Sequence, residues 1–195
     1  VSLSGGKDST AMLLMMIEKN MVIDDVIFCD TGMEFPEMYV HLEKLEKYIN
    51  RQITIIKPKY SFEHYLGFYE KIKGKHKGKK GYGWTGHIFR WCTNVLKKNP
   101  TNQYLKNVDH VLYIGFAYDE IFRAKRKENI KNKNNIYPLI TWEITEKQAL
   151  KYCYSKGFDW GGLYEKFSRV SCWCCPLQPI GELRILFNDF PALWQ

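Results

Sequence analysis

The sequence predicts an α/β fold in which helices flank a parallel sheet. Three short stretches, VSLS at 1–4, DVIFCDTG at 25–32 and QITIIKP at 52–58, have the apolar content of buried strands. Between them, residues 9–20 and 36–50 place apolar side chains at helical spacing. This β-α-β-α-β alternation is typical of a parallel sheet whose connections are helices.

The remainder of the chain predicts shorter elements and a cysteine-rich helical segment at the C-terminal end. Apolar spacing, Gly and Pro positions and capping residues mark their bounds. The expected elements are a helix over 89–107 interrupted at Pro100, a strand at HVLYIGFA, a polar helical turn over 118–127, a strand-like stretch over 135–140, a helix over 145–157 capped by Thr145 and stopped by Gly157, and a helix near 180–190.

Length and charge bound the function. The 195 residues are enough for a single domain, residues 1–195, with a sizeable core. The net charge of +8 favours an anionic partner such as nucleic acid or a nucleotide, although a protein that is merely basic would look the same. No stretch is apolar over the roughly 18 residues that a membrane span requires, so we expect a cytoplasmic protein. The chain begins without Met and ends abruptly, and we expect both termini to be truncated.

Residues 71–87, KIKGKHKGKKGYGWTGH, form a basic loop that interrupts the apolar pattern. Its Lys and Gly content predicts a mobile surface loop. Lysines contact nucleic-acid phosphates and aromatic rings stack on bases, so the loop favours a polynucleotide partner. A disordered loop that only keeps the protein in solution is the alternative. The candidate nucleic-acid contacts are Lys73, Lys75, Lys77, Lys79, Lys80 and Trp84.

The segment SGGKDS, from Ser4 to Ser9, lies between the first strand and the first helix. Two glycines let backbone N–H groups approach an anion, and the helix N-terminus adds the positive end of its dipole. Lys7 adds charge, and Asp8 either caps the helix or holds Mg²⁺. The spacing excludes a Walker A loop and a G-x-G-x-x-G fingerprint. A plain Gly-Gly turn remains the alternative.

SGGKDS resembles the PP-loop motif, SGGxDS, of the ATP pyrophosphatase and sulfonucleotide reductase superfamily. FCDTGMEFPE at 28–37 resembles the DTG-x-EFPE signature of the phosphoadenosine phosphosulfate (PAPS) reductase family. RWCTNVLKKNP at 90–100 is similar to that family's Arg/Cys/Lys/Pro segment. GFAYDEIFRAKR at 115–126 resembles its G-x-x-x-DE-x-x-R-x-x-R segment. The motifs occur in the family's order over nearly the whole chain.

This resemblance implies a Rossmann-like (HUP-type) sheet that binds an adenine nucleotide at the carboxyl ends of its strands. The nucleotide would be ATP with Mg²⁺, or an adenylyl sulfate nucleotide. The residues implied to bind it are Ser4, Gly5, Gly6, Lys7, Asp8, Ser9, Asp30, Thr31, Gly32, Gly115 and Arg126. Those implied to be catalytic are Lys7, Asp8, Asp119 and Arg123. Taken without the resemblance, the arginines would suit a solvated helix face.

Three of the six cysteines lie within four positions, in the segment SCWCCP at 171–176. Cys172 and Cys175 form a C-x-x-C pair, which fits a redox pair or half of a zinc site. In the similar adenylyl sulfate reductases, a Cys-Cys pair and a later C-x-x-C hold a [4Fe–4S] cluster. The resemblance implies such a cluster on Cys92, Cys172 and Cys175, with Cys174 as the fourth ligand. Here Trp91 stands where those enzymes have the first Cys of the pair.

Three alternatives for the cysteines stay open. Three thiols could hold the cluster and leave one iron free, as in some iron–sulfur tRNA thiolases. The same four thiols could bind Zn²⁺, or they could be free or buried. Cys29 is expected in the core, and Cys153 is expected to be packed on its helix, with a reserve role as a ligand.

These observations predict an ATP-dependent iron–sulfur sulfurtransferase. It would adenylate its acceptor, release pyrophosphate and displace AMP with sulfur. The acceptor would be tRNA or DNA, and the donor a protein such as a cysteine desulfurase. One alternative is a sulfonucleotide reductase, although the E-C-G-x-H segment that carries the nucleophile of those enzymes is absent from these residues. The other is a non-catalytic nucleotide- or nucleic-acid-binding module with a structural metal.

Overall fold

The computed structural model describes residues 1–86 and 88–194, which pack as two compact units. Each unit combines three separate segments of the chain. The first unit consists of Val1–Phe28, Pro36–Ile55 and Asn107–Glu165. The second consists of Cys29–Phe35, Ile56–Lys106 and the chain from Lys166 onward.

The described residues form short strands and mostly short helices. The strands are β1 (Ser2–Leu3), β2 (Ile27–Cys29), β3 (Thr54–Ile56), β4 (Leu112–Tyr113) and β5 (Asn135–Ile136). The α-helices are α1 (Lys7–Glu18), α2 (Pro36–Ile49), α3 (Asn99–Tyr104), α4 (Ile121–Ala124), α5 (Lys127–Ile130), α6 (Pro138–Thr141), α7 (Glu146–Ser155), α8 (Leu163–Lys166), α9 (Ile180–Asp189) and α10 (Pro191–Trp194).

The strands confirm the predicted parallel sheet. β1 pairs in parallel with β2, in the register Ser2 to Ile27 and Leu3 to Phe28, and β3 follows β2. β4 pairs in parallel with β5, and a parallel bridge between Ser2 and Ile114 joins the two groups. The strand order is therefore β3-β2-β1-β4-β5, in which the direction of chain progression reverses between β1 and β4. A reversal of this kind marks the crevice where open parallel sheets bind ligands.

The helices of the first unit bury the faces that their apolar spacing predicts. The inner residues of α1 are almost fully buried, among them Ala11, Met12 and Leu13. α1 packs against α7, and its Met12 and Met16 share a core cluster with Leu139 of α6. Burial of this apolar surface is the main source of the unit's stability.

α7 confirms the predicted cap. The Thr145 hydroxyl oxygen accepts from the Gln148 backbone N–H at 3.3 Å, and the Gln148 side chain accepts from the Thr145 N–H at 2.8 Å. This reciprocal pair satisfies two backbone donors that a helix start leaves open. Gly157 follows the helix with a φ of +83°, a conformation that favours glycine.

Two predictions for residues 110–140 differ from the structure. The strand expected at HVLYIGFA is only the two residues of β4, and the strand-like stretch at 135–140 holds the two residues of β5. Pro138 then begins α6. Proline suits a helix start because its fixed φ is helical and its missing N–H would have no partner there.

The second unit is built around aromatic and helical segments. Its core cluster contains Met33, Phe62, Tyr65, Trp91 and Leu96. The predicted helix over 89–107 continues through Pro100, because a wide π-helical segment, Thr93–Lys98, leads into α3 with the proline in its first turn. A second π-helical segment is His64–Phe68.

The basic loop is folded back on itself as a hairpin. Glu70 and Lys80 form an antiparallel bridge. The Lys71 N–H donates to the Lys79 carbonyl at 3.0 Å, and the Gly78 N–H donates to the Lys71 carbonyl at 2.8 Å. The mobility expected from its composition stays a prediction. No helix within residues 1–86 and 88–194 is both long enough and apolar enough to cross a membrane.

We expect buried His41 to make the free energy of unfolding depend on pH. His41 is 3% exposed, its Nε2 lies 3.0 Å from the Thr10 hydroxyl, and burial lowers its pKa from 6.5 to about 3. Between pH 3 and 6.5 the unfolded chain therefore binds more protons than the folded one, so this group makes stability rise with pH over that window.

Urea unfolding of His41→Gln and the unchanged protein at several pH values between 4 and 7.5 measures this dependence. The variant should lose up to one proton's slope, about 1.4 kcal/mol per pH unit, below pH 6.5. Parallel stability curves for the two proteins would contradict a neutral, buried His41.

Candidate functional site

The phosphate loop, Ser4–Ser9, connects the carboxyl end of β1 to the N-terminus of α1. Its Gly5 has a φ of +76°, which the loop's turn requires and which favours glycine. The Ser9 hydroxyl bonds the Gly6 carbonyl at 3.0 Å and lies 3.1 Å from the Ser4 backbone nitrogen. The structure thus places the loop beside the reversal in strand order, with the helix start facing the same end of the sheet.

A hydrogen bond from Trp160 holds the first half of the loop in place. Its indole N–H donates to the Gly5 carbonyl at 2.8 Å, in a buried bond. The Trp160 ring stacks on His41 with centroids 4.5 Å apart, and His41 pairs with Thr10 of α1. No sequence pattern indicates these residues, because 155 positions separate Trp160 from Gly5.

Gly115 allows the end of β4 to lie against the phosphate loop. A Cβ atom at this position would be 2.8 Å from the Cα and N atoms of Ser9. Gly5 is similarly confined, because a Cβ there would be 2.3 Å from the Met38 sulfur. At both positions the missing side chain lets the loop pack closely against its own unit.

Lys7 is buried and held by carboxylates. Its Nζ lies 2.5 Å from Glu146 Oε2 and 3.4 Å from Asp8 Oδ2, while its backbone N–H donates to the Tyr164 hydroxyl at 2.7 Å. Burial lowers the pKa of Lys7, but the charges of Asp8 and Glu146 outweigh it and raise the pKa overall. Lys7 is therefore a charged group at the loop.

Asp8 carries a carboxyl group that titrates close to neutral pH. Burial raises its pKa to about 6, against the opposing effect of Lys7, and the charges of Glu146 and Glu120 raise it further. Its Oδ1 atom is buried and has no hydrogen-bond partner among the described residues. A buried, unbonded carboxylate oxygen beside a phosphate loop is chemically suited to a metal ion that arrives with a nucleotide.

The other predicted residues of the first unit make contacts within the protein. The Arg123 guanidinium bonds both carboxylate oxygens of Glu120 at 2.7 Å and lies 4.1 Å from the centre of the Phe116 ring. Asp119 accepts from the Glu146 N–H at 3.1 Å, at the start of α7. Arg126 lies 5.8 Å from the Phe122 ring. Their predicted catalytic and nucleotide-binding roles stay predictions.

Asp30, Thr31 and Gly32 belong to the second unit and form a tight turn after β2. The Asp30 carboxylate accepts from the Gly32 N–H at 2.9 Å and lies 3.7 Å from the Lys57 ammonium. The Thr31 hydroxyl donates to Glu34 at 2.8 Å, and its backbone N–H donates to the same carboxylate at 3.1 Å. These bonds satisfy the buried Glu34 side chain, which is 5% exposed.

The residues of this turn contact Cys172. An antiparallel bridge pairs Glu34 with Cys172, whose sulfur lies 3.7 Å from the Thr31 hydroxyl and 3.9 Å from Glu34 Oε1. The half-buried Lys97 ammonium lies 3.8 Å from the same Glu34 oxygen. Burial raises the pKa of Cys172, and the positive charge of Lys97 opposes this effect.

The four cysteines predicted as ligands are electrostatic neighbours. Burial raises the pKa of Cys174, and Cys172, Cys175 and Cys92 raise it further. Cys92, Cys172 and Cys174 pack against the core of the second unit. We call these four residues the thiol cluster. At this high pKa Cys174 is a thiol at neutral pH.

The thiol cluster is the metal site that the sequence predicts. Thiolates suit iron and zinc, yet in residues 1–86 and 88–194 no three His, Cys, Asp or Glu side chains are arranged to hold a metal ion. The placed residues therefore do not form a ligand set for a [4Fe–4S] cluster or for Zn²⁺. The iron–sulfur cluster and the zinc ion both stay predictions.

The remaining two cysteines differ in their surroundings. Cys153, of the first unit, is fully buried as predicted, donates to the Lys7 carbonyl at 3.4 Å and has a pKa raised by burial to about 12. Cys29 was expected in the core. It is half-buried instead, with its sulfur 3.1 Å from the Thr101 hydroxyl.

We expect Gly115→Ala to destabilise the first unit and weaken anion binding at the loop. The added methyl group would overlap the Ser9 backbone, and overpacking of this kind costs typically about 1–3 kcal/mol. Chemical unfolding and a phosphate or ATP titration measure the two effects. Gly181→Ala is the matched control, because no atom of the described residues lies within 4 Å of the added atom. Equal stability for the two variants would contradict the close approach.

Comparison with known proteins agrees with this geometry. The solved structure of a phosphoadenylyl-sulfate (PAPS) reductase from Candida auris, in complex with phosphate, has the same fold, with a TM-score of 0.53 and 17% sequence identity. The match covers 84% of this chain and 75% of that one.

Two uncharacterized proteins of Methanocaldococcus jannaschii are similar in sequence. MJ0066 is 29% identical over 212 residues, and MJ0973 is 31% identical over 203 residues. The alignments include 100% and 99% of this chain but only 39% and 45% of those proteins, so the chain spans less than half the length of either relative.

The family model of the phosphoadenosine phosphosulfate reductase domain matches residues 1–178. This range includes the phosphate loop, the turn after β2 and the thiol cluster. The chain therefore belongs to the phosphoadenosine phosphosulfate reductase domain family.

Proposed function

We propose that this protein uses ATP to adenylate an acceptor and then transfers sulfur to it through cysteine thiols. The observation that carries the proposal is the phosphate loop at the reversal in strand order, with Lys7 and Asp8 at the start of α1. The thiol cluster supports the second half of the reaction. Membership of the family supports an adenine nucleotide as the ligand of the loop.

The phosphate loop would act in the first step. Backbone N–H groups at the helix start would bind the nucleotide's phosphates. Asp8, with its unbonded oxygen, would hold Mg²⁺ together with the phosphates, and the ion would neutralise charge on the phosphoryl oxygens when bound. An oxygen of the acceptor attacks the α-phosphorus, and pyrophosphate leaves with the electron pair of the broken P–O bond.

The thiol cluster would act in the second step. The Cys172 thiolate would attack the terminal sulfur of a persulfide on a donor protein such as a cysteine desulfurase, and the donor's cysteine would leave as a thiolate, so that Cys172 carries the persulfide. The Lys97 charge would stabilise the anionic form of Cys172. The terminal sulfur attacks the adenylated carbon, forms a C–S bond and expels AMP. The Cys175 thiolate then attacks the Cys172 sulfur, which frees the thiolated acceptor and leaves a Cys172–Cys175 disulfide. A cellular dithiol would reduce that disulfide for the next cycle.

The same turn contains both cysteines of this pair. The Cys175 N–H donates to the Cys172 carbonyl at 3.2 Å, so a C-x-x-C turn connects carrier and resolving thiol. Burial raises the pKa of both Cys172 and Cys174, and the Lys97 charge opposes this effect at Cys172, so Cys172 is the better nucleophile of the two.

A sulfonucleotide reductase is the second candidate. The family model carries the name of that reaction, and the turn with Thr31, Glu34 and Cys172 offers a thiol beside hydrogen-bonding groups. In that reaction a thiolate attacks the sulfur of the nucleotide's sulfate group and releases AMP or its 3′-phosphate, without pyrophosphate. A binding module would release neither product.

We expect pyrophosphate release to require an ionised Asp8. The pKa of this carboxyl is raised to about 6, so activity should rise with pH through about 6, as the carboxylate forms. Asp8→Asn should reduce the rate about 100-fold or more, because the phosphate charge is then less neutralised.

Glu146→Gln is the matched variant for the pH profile. Because the Glu146 charge raises the pKa of Asp8, its removal should move the midpoint of the profile below pH 6. The assay is pyrophosphate release from ATP with tRNA or DNA present, at pH 5 to 8. Unchanged turnover in Asp8→Asn, or AMP release from adenylyl sulfate alone, would contradict adenylation by this loop.

We expect Cys175→Ser to separate the two steps. Adenylation needs no thiol, so pyrophosphate release should persist while the thiolated acceptor stays attached to Cys172 as a mixed disulfide. Mass spectrometry of the protein after one turnover detects this adduct, and Cys153→Ser, a buried thiol of the first unit, is the control. About four irons and four sulfides per anaerobically purified chain would overturn this thiol route and favour the predicted cluster.

A further inference from the structure

The hairpin that closes between Glu70 and Lys80 is a charged surface that the proposed chemistry does not use. It displays six lysines: Lys71, Lys73, Lys75, Lys77, Lys79 and Lys80. All but the first are exposed. Within the part of the chain that the structure describes, none of the six pairs with a carboxylate. Their charge is therefore available to an anionic partner.

Backbone hydrogen bonds arrange these lysines on a hairpin. Backbone bonds cross it at Lys71, and the Lys77 N–H donates to the Gly74 carbonyl at 3.0 Å within the turn. Beyond the turn, the Gly81 N–H donates to the Tyr69 carbonyl at 2.9 Å. A Cβ at Gly81 would lie 2.5 Å from the Leu66 carbonyl oxygen, so the hairpin rests directly on the segment before it.

An aromatic floor lies at the base of the hairpin. The Tyr82 ring stacks on Tyr69 and Trp91, with centroids 5.3 Å and 5.4 Å apart, and Phe89 meets its edge at 5.9 Å. The Lys71 ammonium lies 5.6 Å from the centre of the Tyr82 ring. Phe89 is 55% exposed, so part of this floor faces solvent.

The lysines and the floor line an open cavity of about 390 Å³. It is lined by Lys71, Lys73, Lys75, His76, Tyr82 and Phe89, among others. This volume is within the range of small-molecule sites. Cations on one wall and ring faces on another match the phosphate and the base of one nucleotide, which a lipid headgroup or an acidic side chain would fill only in part.

We propose that this hairpin and its aromatic floor form a binding surface for a single-stranded polynucleotide, with one base stacked in the cavity. This proposal rests on the proposed function, and it adds to that function the chemical class of the acceptor. Lysines supply phosphate contacts, and the exposed Phe89 ring supplies stacking that tolerates any base. RNA and DNA share this chemistry.

Fluorescence anisotropy with labelled 15-mers of rU and dT tests the surface, without ATP, from 50 to 300 mM KCl. The triple variant Lys73→Gln, Lys75→Gln, Lys77→Gln should reduce the slope of log K against log salt by about 2, since each phosphate contact on single strands contributes about 0.7. Phe89→Leu should weaken binding by roughly fivefold to 100-fold and leave the slope unchanged.

The matched control is Lys127→Gln, Lys131→Gln, Lys133→Gln, which removes the same charge from exposed positions of the first unit. It should bind like the unchanged protein, and circular dichroism confirms that each variant is folded. Tighter binding of rU than of dT would identify an RNA acceptor, and the reverse a DNA acceptor.

Three results would overturn the surface: equal losses in the two triple variants, equal affinity for a duplex of the same length, or binding to phosphatidylserine vesicles without binding to either oligonucleotide. A parallel measurement of pyrophosphate release separates this failure from that of the proposed function. Oligonucleotide binding that depends on the hairpin, with no ATP turnover, leaves the surface standing and removes the adenylation step.

Discussion

The close packing around Gly5 is the constraint on which the nucleotide site depends. The carbonyl of this residue accepts the Trp160 indole N–H, while its missing side chain makes room for Met38. A loop that binds an anion through its backbone must be rigid before the anion arrives, or the cost of ordering it reduces affinity. Trp160 and its stacking partner His41 provide this rigidity from a distant part of the sequence.

Burial accounts for the chemistry of both candidate sites. At the phosphate loop it raises the pKa of Asp8 to about 6, so a carboxyl group beside a lysine still titrates near neutral pH. In the thiol cluster it raises the pKa of Cys172, and the Lys97 charge and the Thr31 hydroxyl oppose this effect. In each case a buried acid is paired with a lysine, and the balance between desolvation and that charge sets its reactivity.

Local patterns predicted the fold well where neighbouring residues determine it. The apolar spacing of α1 and α2, the strands between them and the Thr145 cap all follow from interactions over a few positions, and the structure confirms them. Sequence also placed the phosphate loop between a strand and a helix. Bonds between distant residues were not predictable, as with Trp160 and Gly5, because periodicity carries no information about them.

Two other features of the structure cannot be read from composition. The hairpin of lysines is closed by backbone bonds such as the one from the Lys71 N–H to the Lys79 carbonyl, and it adjoins the packed rings of Tyr65, Tyr69 and Tyr82. The division into two units, each built from three chain segments, has no linker to mark it in the sequence. The thiol cluster was predicted as a set of neighbours, whereas the metal assigned to it rested on resemblance.

Nuclear magnetic resonance of protein labelled with ¹⁵N only at its 14 glycines tests most directly whether the phosphate loop is the nucleotide site. Titration with ATP and, separately, with adenosine distinguishes phosphate binding from base binding. If the phosphate loop is the nucleotide site, the Gly5 and Gly6 amide signals will move with ATP, hardly move with adenosine, and not move in Asp8→Asn at the same ATP concentration. Unchanged Gly5 and Gly6 signals at saturating ATP would contradict it.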